Sequence, residues 1–215
     1  MTEGMSLATS ELILGGQKSG KSRRAELLAR DWLAQAPDHK AVLIATGQPW
    51  DDEMQQRIAR HQRDRAERVL GMTTVEEPLA LADALSRNSH AKTLVVIDCL
   101  TLWLTNLLMP LDELHSAGKT SENLKNIENS PNSDRKVLVD QCLSSVTATF
   151  LIAIEKSAGP VVLVGNEIGL GVIPLGRETR AFVDALGQLN QSVAAACQRV
   201  TLMVAGLPLT LKGQP

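Results

Sequence analysis

The chain has 215 residues, of which 44% are hydrophobic and 21% are charged, and its formal net charge is −2. This profile is typical of a single soluble globular domain. With three tryptophans, two phenylalanines and no tyrosine, the chain lacks the rings needed for repeated stacking on single-stranded nucleic acid, and its near-neutral charge excludes a general binder of phosphate backbones.

Short apolar runs alternate along the chain with segments of helical length. Continuous apolar runs are typical of strands in a parallel sheet that is covered on both faces. In chain order, the predicted strands are Leu12–Leu14, Ala41–Ala45, Thr93–Ile97, Pro160–Val164 and Val200–Val204, and the predicted helices are 20–35, 51–66, 78–87, 134–157 and 177–198. This alternation predicts an α/β fold with a mostly parallel sheet, in one domain that spans residues 1–215.

One polar segment, at about residues 110–133, interrupts the alternation and shows no clear periodicity. We expect a flexible, exposed loop there. Such a loop serves either as a lid over a substrate or as a tolerated insertion.

The cysteines and the first residues of the chain indicate the cellular compartment of the protein. Cys99, Cys142 and Cys197 are far apart and each lies among apolar residues, which predicts buried, reduced thiols rather than disulfides or a cysteine metal site. No apolar run approaches the ~20 residues that span a bilayer. The first six residues lack the basic region and apolar core of a signal peptide. These features predict a cytoplasmic protein without a membrane span.

The segment GGQKSGKS, Gly15–Ser22, fits the pattern G-x-x-x-x-G-K-[ST] between a predicted strand and a predicted helix. In such a loop, backbone N–H groups face phosphate oxygens and the helix N-terminus adds positive charge. Lys21 is expected to reach the terminal phosphates, and the Ser22 hydroxyl to bind Mg²⁺. Asp98, at the end of an apolar strand, is expected to hold the same ion. The pattern predicts nucleotide binding, but it does not distinguish kinases, motors, switches and transporters.

His61 lies on the apolar face of the helix predicted at 51–66. Met54, Ile58 and His61 are spaced i, i+4 and i+7, so the ring faces the protein rather than bulk water. One interpretation is a half-buried structural histidine. The other is a nucleophile whose neutral imidazole attacks a phosphoryl group and forms a phosphoramidate. The carboxyl ends of parallel strands meet at one edge of the sheet, which favours proximity between this helix and the phosphate loop.

Several motifs together resemble the bifunctional adenosylcobinamide kinase/adenosylcobinamide-phosphate guanylyltransferase family of cobalamin biosynthesis. The matching features extend from Leu12 to about Gly206. They are LGGQKSGKS (14–22), Ala45-Thr46 with Gln48, DDEM (51–54) with Arg57, Ile58 and His61, TVEEP (74–78), DCLTLWLTN (98–106) and NEIGLGVIP (166–174). The phosphate loop is generic, whereas the DDEM…His and NEIGLGVIP blocks are specific to the family.

The resemblance implies a P-loop NTPase fold of the RecA-like type and two reactions. ATP or GTP phosphorylates the hydroxyl of the aminopropanol arm of adenosylcobinamide, with Mg²⁺ as cofactor. A histidine, which falls on His61, then attacks GTP and releases pyrophosphate, and the GMP passes to adenosylcobinamide phosphate. The resemblance also implies a homo-oligomer with a corrinoid substrate and no nucleic-acid partner.

The family's site residues carry over onto this chain as follows. His61 and Lys21 would be catalytic, and Ser22 and Asp98 would hold the metal. Glu76 would contact the guanosine, and Thr46, Gly47 and Gln48 would line the nucleotide pocket. The phosphates would be held by Gly15, Gly16, Gln17, Lys18, Ser19, Gly20, Lys21 and Ser22.

The sequence leaves open the roles of several residues in and after the NEIGLGVIP block. Glu167 suits either a base that orients the substrate hydroxyl or a helix cap. Arg177 and Arg180 suit either a phosphate clamp or a solvated first helical turn. Gly187 lies inside a predicted helix, where glycine is unfavourable, and this suggests the close approach of another backbone.

Two alternatives remain open. Ala66 follows Arg65 where the family often has proline, and the spacing to the next block is longer, which motivates a kinase that performs only the first phosphorylation. A RecA-like nucleotide-gated binding module would instead need a basic contact strip. The one local cluster of arginines, at 57, 60, 63, 65 and 68, lies beside Asp64 and Glu67 and is interpreted as a solvated helix face.

Overall fold

The structure of the protein is a computed structural model that describes residues 7–49, 52–108 and 132–214. The strands are β1 (Ser10–Gly15), β2 (Lys40–Ala45), β3 (Met72–Glu76), β4 (Thr93–Asp98), β5 (Val161–Val164), β6 (Arg199–Val204) and β7 (Leu207–Lys212). The helices are α1 (Lys21–Gln35), α2 (Asp52–Arg68), α3 (Leu81–Asn88), α4 (Leu100–Leu108), α5 (Asn132–Glu155) and α6 (Arg177–Ala196). Within the described ranges, no helix has both the length and the apolar character that a membrane span requires.

All seven strands join one sheet with helices on both faces. The strand order is β3-β2-β4-β5-β1-β6-β7, and only the β6–β7 pair is antiparallel. Side chains alternate between the faces of a strand: Ile13 packs with α1, whereas Leu12 and Leu14 pack with α3, α4, α5 and α6. Because both of their faces are buried, the central strands consist mainly of apolar residues. The predicted mostly parallel α/β fold is confirmed.

All five predicted strands and all five predicted helices are present, with shifted ends, but three elements within the described residues were missed. β3 and β7 are edge strands whose residues are largely exposed or half-buried, so they lack the apolar run that marks a central strand. α4 begins two residues after β4 and carries apolar residues on several sides, which hides its helical period. The predicted loop at 110–133 lies outside the described residues, except that Asn132 and Ser133 begin α5.

The topology brings the expected site residues to one edge of the sheet. β1, which precedes the phosphate loop, and β4, which ends at Asp98, are separated by β5. Gly15, Ala45, Asp98 and Val164 end their strands at the same carboxyl edge, where ligands of open α/β sheets bind.

The cysteine prediction holds in part. All three cysteines are free, and Cys99 and Cys197 are buried. Cys142 is exposed on α5, so the prediction of burial is wrong there, because apolar neighbours in sequence lie on other sides of a helix.

A buried ion-pair network ties β1 to α1 and β6. Glu11 is fully buried, and its Oε1 accepts hydrogen bonds from Arg24 Nε at 2.9 Å and from the Thr201 hydroxyl at 2.8 Å. Its Oε2 lies 3.4 Å from an Arg199 guanidinium nitrogen. Both arginine side chains are nearly buried as well. Neutralising the carboxylate would leave these two buried guanidinium groups without their counter-ion.

Glu11→Gln is therefore expected to lower the free energy of unfolding by about 3–5 kcal/mol. Urea denaturation followed by circular dichroism measures the change. Asp31→Asn is the matched control, because its partner Arg30 is exposed and surface pairs contribute at most about 1 kcal/mol. Equal midpoints for the two variants would show that the network does not stabilise the fold.

Candidate nucleotide and phosphoryl-transfer site

The phosphate loop has the strand–loop–helix context that the sequence predicted. It joins β1 to α1, and its first glycine has a φ of +150°. A Cβ on Gly15 would lie 2.5 Å from the Met203 carbonyl oxygen and 2.6 Å from Ser19 Oγ. Gly20, which precedes α1, has a φ of +102°. Both positions need glycine, because L side chains rarely adopt these conformations.

Positive charge converges on the loop. Lys21 is buried, and its ammonium group donates a 2.6 Å hydrogen bond to the Gly16 carbonyl oxygen. Among the described residues, no side chain caps the N-terminus of α1, and no acidic residue lies in its first turn. The positive end of the helix dipole is thus not offset by an acidic side chain in that turn. The loop can therefore hold phosphates with a buried lysine and a helix N-terminus.

One cleft, of about 830 Å³, collects most of the expected site residues. Its volume lies in the range of ligand pockets. Gly47, His61, Glu76 and Asp98 line it opposite the phosphate loop, which contributes Gln17, Lys18, Ser19, Gly20, Lys21 and Ser22. Residues distant in sequence thus share one space.

Four expected residues lie outside the lining of this cleft: Gly15, Gly16, Thr46 and Gln48. Thr46 is fully buried; its hydroxyl donates to the Cys99 carbonyl oxygen at 2.7 Å and accepts from the Cys99 N–H at 2.8 Å. Asn106 supports the same corner by donating to the Thr46 carbonyl oxygen at 2.8 Å. In this structure Thr46 joins the ends of β2 and β4 beneath the cleft.

Helix α2 forms the wall opposite the phosphate loop. Met54, Ile58 and His61 are half-buried and line the cleft, as the helical spacing predicted. Glu76, at the end of β3, lies beside this wall, and Gln62 Nε2 donates to its carboxylate at 3.4 Å. The imidazole and the loop that would hold a triphosphate therefore face a common space.

The sequence interpretation assigned all five arginines of α2 to a solvated helix face, but three of them, Arg60, Arg65 and Arg68, line the cleft. Arg68 forms an ion pair with Glu26 at 2.9 Å. Arg65 is half-buried and donates to Thr74 Oγ1 at 3.4 Å. Helical spacing could have placed two of them in the cleft, because Arg65 and Arg68 lie four and seven residues after His61, on the same helix face.

Burial shifts the pKa of two side chains in the cleft, Arg65 and Cys99. Desolvation lowers the pKa of Arg65 from its ordinary value, while the carboxylates of Asp98 and Glu26 oppose that shift; the guanidinium stays charged. Cys99 also lines the cleft, but burial raises the pKa of its thiol to about 12, and the Asp98 carboxylate adds to the effect. A neutral thiol is a poor nucleophile, so Cys99 is unsuited to covalent chemistry.

The oxygen donors in the cleft fit Mg²⁺. Ser22 and Asp98 both line it, and Mg²⁺ is commonly held by one or two protein oxygens together with substrate phosphates. Among the described residues, no group of three or more His, Cys, Asp or Glu side chains forms a metal cage. The ion would therefore take its remaining ligands from the nucleotide and water.

Arg65→Met is expected to weaken binding of a nucleoside triphosphate about tenfold or more, because a charge-assisted hydrogen bond contributes about 1.5–3 kcal/mol. Titration with a fluorescent GTP analogue measures the dissociation constant. Arg63→Met is the matched control, since Arg63 is exposed on the same helix and lies outside the cleft lining. Equal dissociation constants for the two variants would show that Arg65 does not contact the phosphates.

The chain is similar to known proteins over most of its length. A family model described as cobinamide kinase / cobinamide phosphate guanyltransferase matches residues 11–211. The chain is 44% identical over 206 residues to the bifunctional adenosylcobalamin biosynthesis protein CobP of Pseudomonas aeruginosa, covering 95% of this chain and 98% of that protein. It is 31% identical over 201 residues to the bifunctional adenosylcobalamin biosynthesis protein CobU of Escherichia coli K12, covering 94% and 98%.

A solved structure also resembles the fold. The flagellar accessory protein FlaH from Methanocaldococcus jannaschii superposes with a TM-score of 0.48 and 12% sequence identity, covering 99% of this chain and 82% of that chain.

Proposed function

Because the chain belongs to the cobinamide kinase/cobinamide phosphate guanyltransferase family, a family of transferases in cobalamin biosynthesis, we propose that it performs both reactions through a guanylylated His61. A nucleoside triphosphate, ATP or GTP, phosphorylates the hydroxyl of adenosylcobinamide. GTP then guanylylates His61, and the GMP passes to adenosylcobinamide phosphate to give adenosylcobinamide-GDP. The observation that carries the proposal is the common cleft of His61 and the phosphate loop.

The guanylyl transfer consists of two displacements. A neutral imidazole nitrogen of His61 attacks the α-phosphorus of GTP; an N–P bond forms, the bond to the bridging oxygen breaks, and pyrophosphate leaves. A phosphate oxygen of adenosylcobinamide phosphate then attacks the same phosphorus, the N–P bond breaks, and the imidazole returns to its free form. A neutral imidazole needs no general base, and the phosphoramidate makes the second transfer easy.

The residues around the phosphates have complementary roles. Lys21 and the loop N–H groups stabilise the negative charge that develops on the departing pyrophosphate. Arg65 faces the same cleft from the helix that carries His61. Ser22 and Asp98 would hold Mg²⁺, which when bound neutralises phosphate charge and acts as a Lewis acid. The Glu76 carboxylate can accept hydrogen bonds from the N1–H and 2-amino group of guanine, which adenine lacks.

The kinase-only alternative is less well supported. It was motivated by the altered segment after His61, yet α2 continues without interruption from Asp52 to Arg68 and Arg65 still lines the cleft. The RecA-like nucleotide-gated binding module is also disfavoured, because Arg65 and Arg68 line the cleft and Arg68 pairs with Glu26. We therefore propose a corrinoid substrate and no nucleic-acid partner, in a cytoplasmic homo-oligomer.

Labelling with α-³²P-GTP tests the proposal. The wild-type protein, incubated with Mg²⁺ and α-labelled GTP, is expected to form an acid-labile, alkali-stable protein adduct, as a phosphoramidate requires. Adenosylcobinamide phosphate is then expected to remove the label from the protein into a soluble product. Phosphorylation of adenosylcobinamide without any protein adduct would establish the kinase-only alternative. DNA-stimulated ATP hydrolysis without corrinoid turnover would favour the binding module.

A further inference from the structure

A second concavity, of about 540 Å³, lies beside the nucleotide cleft and has no role in the mechanism above. It runs between the segment Ile168–Pro174 and one face of α6. The helix contributes Arg180, Val183, Asp184, Gly187, Gln188 and Gln191. We call this concavity the α6 groove.

The floor of the α6 groove is open at Gly187. Among the described residues, a Cβ built on this glycine meets no atom within 4 Å, outside its own helical backbone and chain neighbours. The expectation that Gly187 marks the close approach of another backbone is therefore wrong. Glycine inside a helix is unfavourable relative to alanine, and its position here keeps the groove deep rather than allowing two elements to touch.

The groove adjoins the nucleotide cleft. Asn166 lines the cleft and Ile168 lines the groove, so Glu167 lies at the junction. The Glu167 N–H donates to the Gly15 carbonyl oxygen at 3.1 Å. Asn190 of α6 donates to the Asn166 carbonyl oxygen at 3.0 Å. These contacts tie the wall between the two concavities to the phosphate loop.

The outer wall of the groove is apolar and held in place. Val172 is 94% exposed and Ile173 is 76% exposed, although large apolar side chains usually avoid solvent. Arg180 of α6 braces this segment by donating to the carbonyl oxygens of Pro174 and Leu175. The open phosphate-clamp interpretation of Arg180 is thus not needed to explain its position. Apolar side chains are therefore exposed along one side of the α6 groove.

The lining is mainly apolar and amide-bearing, and Arg180 and Asp184 are its charged residues. Ile168, Val172, Ile173 and Val183 are apolar, whereas Gln188 and Gln191 present primary amides from the helix. A cobinamide macrocycle carries methyl groups and primary amide side chains around its periphery. Methyl groups pack on apolar residues, and amides pair with amides through both donor and acceptor atoms.

On these observations, and resting on the function proposed above, we propose that the α6 groove holds the corrin macrocycle of the substrate. The hydroxyl-bearing arm passes Glu167 at the junction and reaches the phosphate loop. The phosphates of GTP then lie in the nucleotide cleft, and the corrin ring lies in the adjoining α6 groove. A side chain introduced into the groove therefore leaves the nucleotide cleft unchanged.

Gly187→Leu tests the proposal, because the leucine enters open space and also raises helix propensity. It is expected to raise the KM for adenosylcobinamide in the kinase reaction about tenfold or more, since the added side chain takes space from the substrate. The KM for the triphosphate and the labelling of the protein by GTP alone are expected to stay at wild-type values, with an unchanged or higher melting temperature. Ala181→Leu, on an exposed position of α6 outside the groove, is the matched control.

A second variant, Gln191→Phe, fills the groove from its other side and is expected to act in the same direction. Wild-type KM values for adenosylcobinamide in both variants would overturn the proposal, and so would equal losses of GTP labelling and corrinoid turnover. A change in subunit number on size-exclusion chromatography, with the corrinoid KM unchanged, would assign the groove to an interface between copies and overturn it too. Failure of the proposed function is distinct, because the wild-type protein would then not phosphorylate adenosylcobinamide at all.

Discussion

His61→Asn is expected to abolish labelling of the protein by α-³²P-GTP while leaving phosphorylation of adenosylcobinamide intact. The asparagine side chain keeps a polar group on the cleft-facing side of α2, but its amide nitrogen is not a nucleophile. In the proposed mechanism the first reaction transfers the γ-phosphoryl group directly to the substrate hydroxyl, so it does not require the imidazole. The variant should therefore accumulate adenosylcobinamide phosphate, which chromatography of the reaction products measures.

His90→Asn is the matched control for this experiment. His90 is exposed and precedes β4, at the end of the sheet opposite the carboxyl edge. It should label as the wild-type protein does. Persistent labelling of His61→Asn would place the nucleophile elsewhere and contradict the proposed mechanism, and loss of both reactions would mean that His61 also serves the kinase step.

Lys21→Met is expected to reduce both reactions by about 10²–10³-fold or more in kcat, because in the proposed mechanism the phosphate loop stabilises charge on the leaving phosphates of both reactions. The Lys21 side chain is buried at the phosphate loop. Methionine keeps an unbranched side chain of similar length, so packing changes little while the positive charge is lost. Initial rates of adenosylcobinamide phosphorylation and of GTP labelling, each at saturating nucleotide, measure the two effects.

Lys156→Met, which removes an exposed lysine just after α5, controls for the loss of a charge. A Lys21→Met protein that lost the kinase reaction but kept wild-type labelling would show that the two triphosphates bind in different places. Melting temperatures of the two variants are expected to agree closely. A large fall for Lys21→Met alone would indicate that the lysine stabilises the loop.

Much of the fold follows from local patterns. The five central strands are apolar at successive positions because each is buried on both faces, so they could be recognised without neighbours. The edge strands β3 and β7 could not, since their residues are largely exposed or half-buried and only hydrogen bonds to β2 and β6 make them strands. Helix α4 escaped for a different reason, because its nine residues include no charged side chain and none of them is exposed, so no solvent-facing side reveals the helical period.

In the candidate site, too, the local sequence predicts some features and tertiary contacts determine the others. The phosphate loop could be predicted because its chemistry depends on eight consecutive residues. The direction of His61 followed from helical spacing, and the same spacing would have placed Arg65 and Arg68 toward the protein. Thr46 could not be placed, because its burial depends on hydrogen bonds to Cys99, a residue on another strand end. The open space above Gly187 likewise depends on the path of residues 168–174.

By itself, then, the sequence determined the phosphate loop, the alternation of strands and helices, and the side of α2 on which His61 lies. Each of these depends on backbone geometry over a few neighbouring residues. Only the tertiary structure decided that α2 faces the phosphate loop across one cleft, that Arg65 and Arg68 share it, and that a groove along α6 adjoins it at Glu167. Those arrangements arise from contacts between segments far apart in the chain, and no local period or propensity encodes the distance between them.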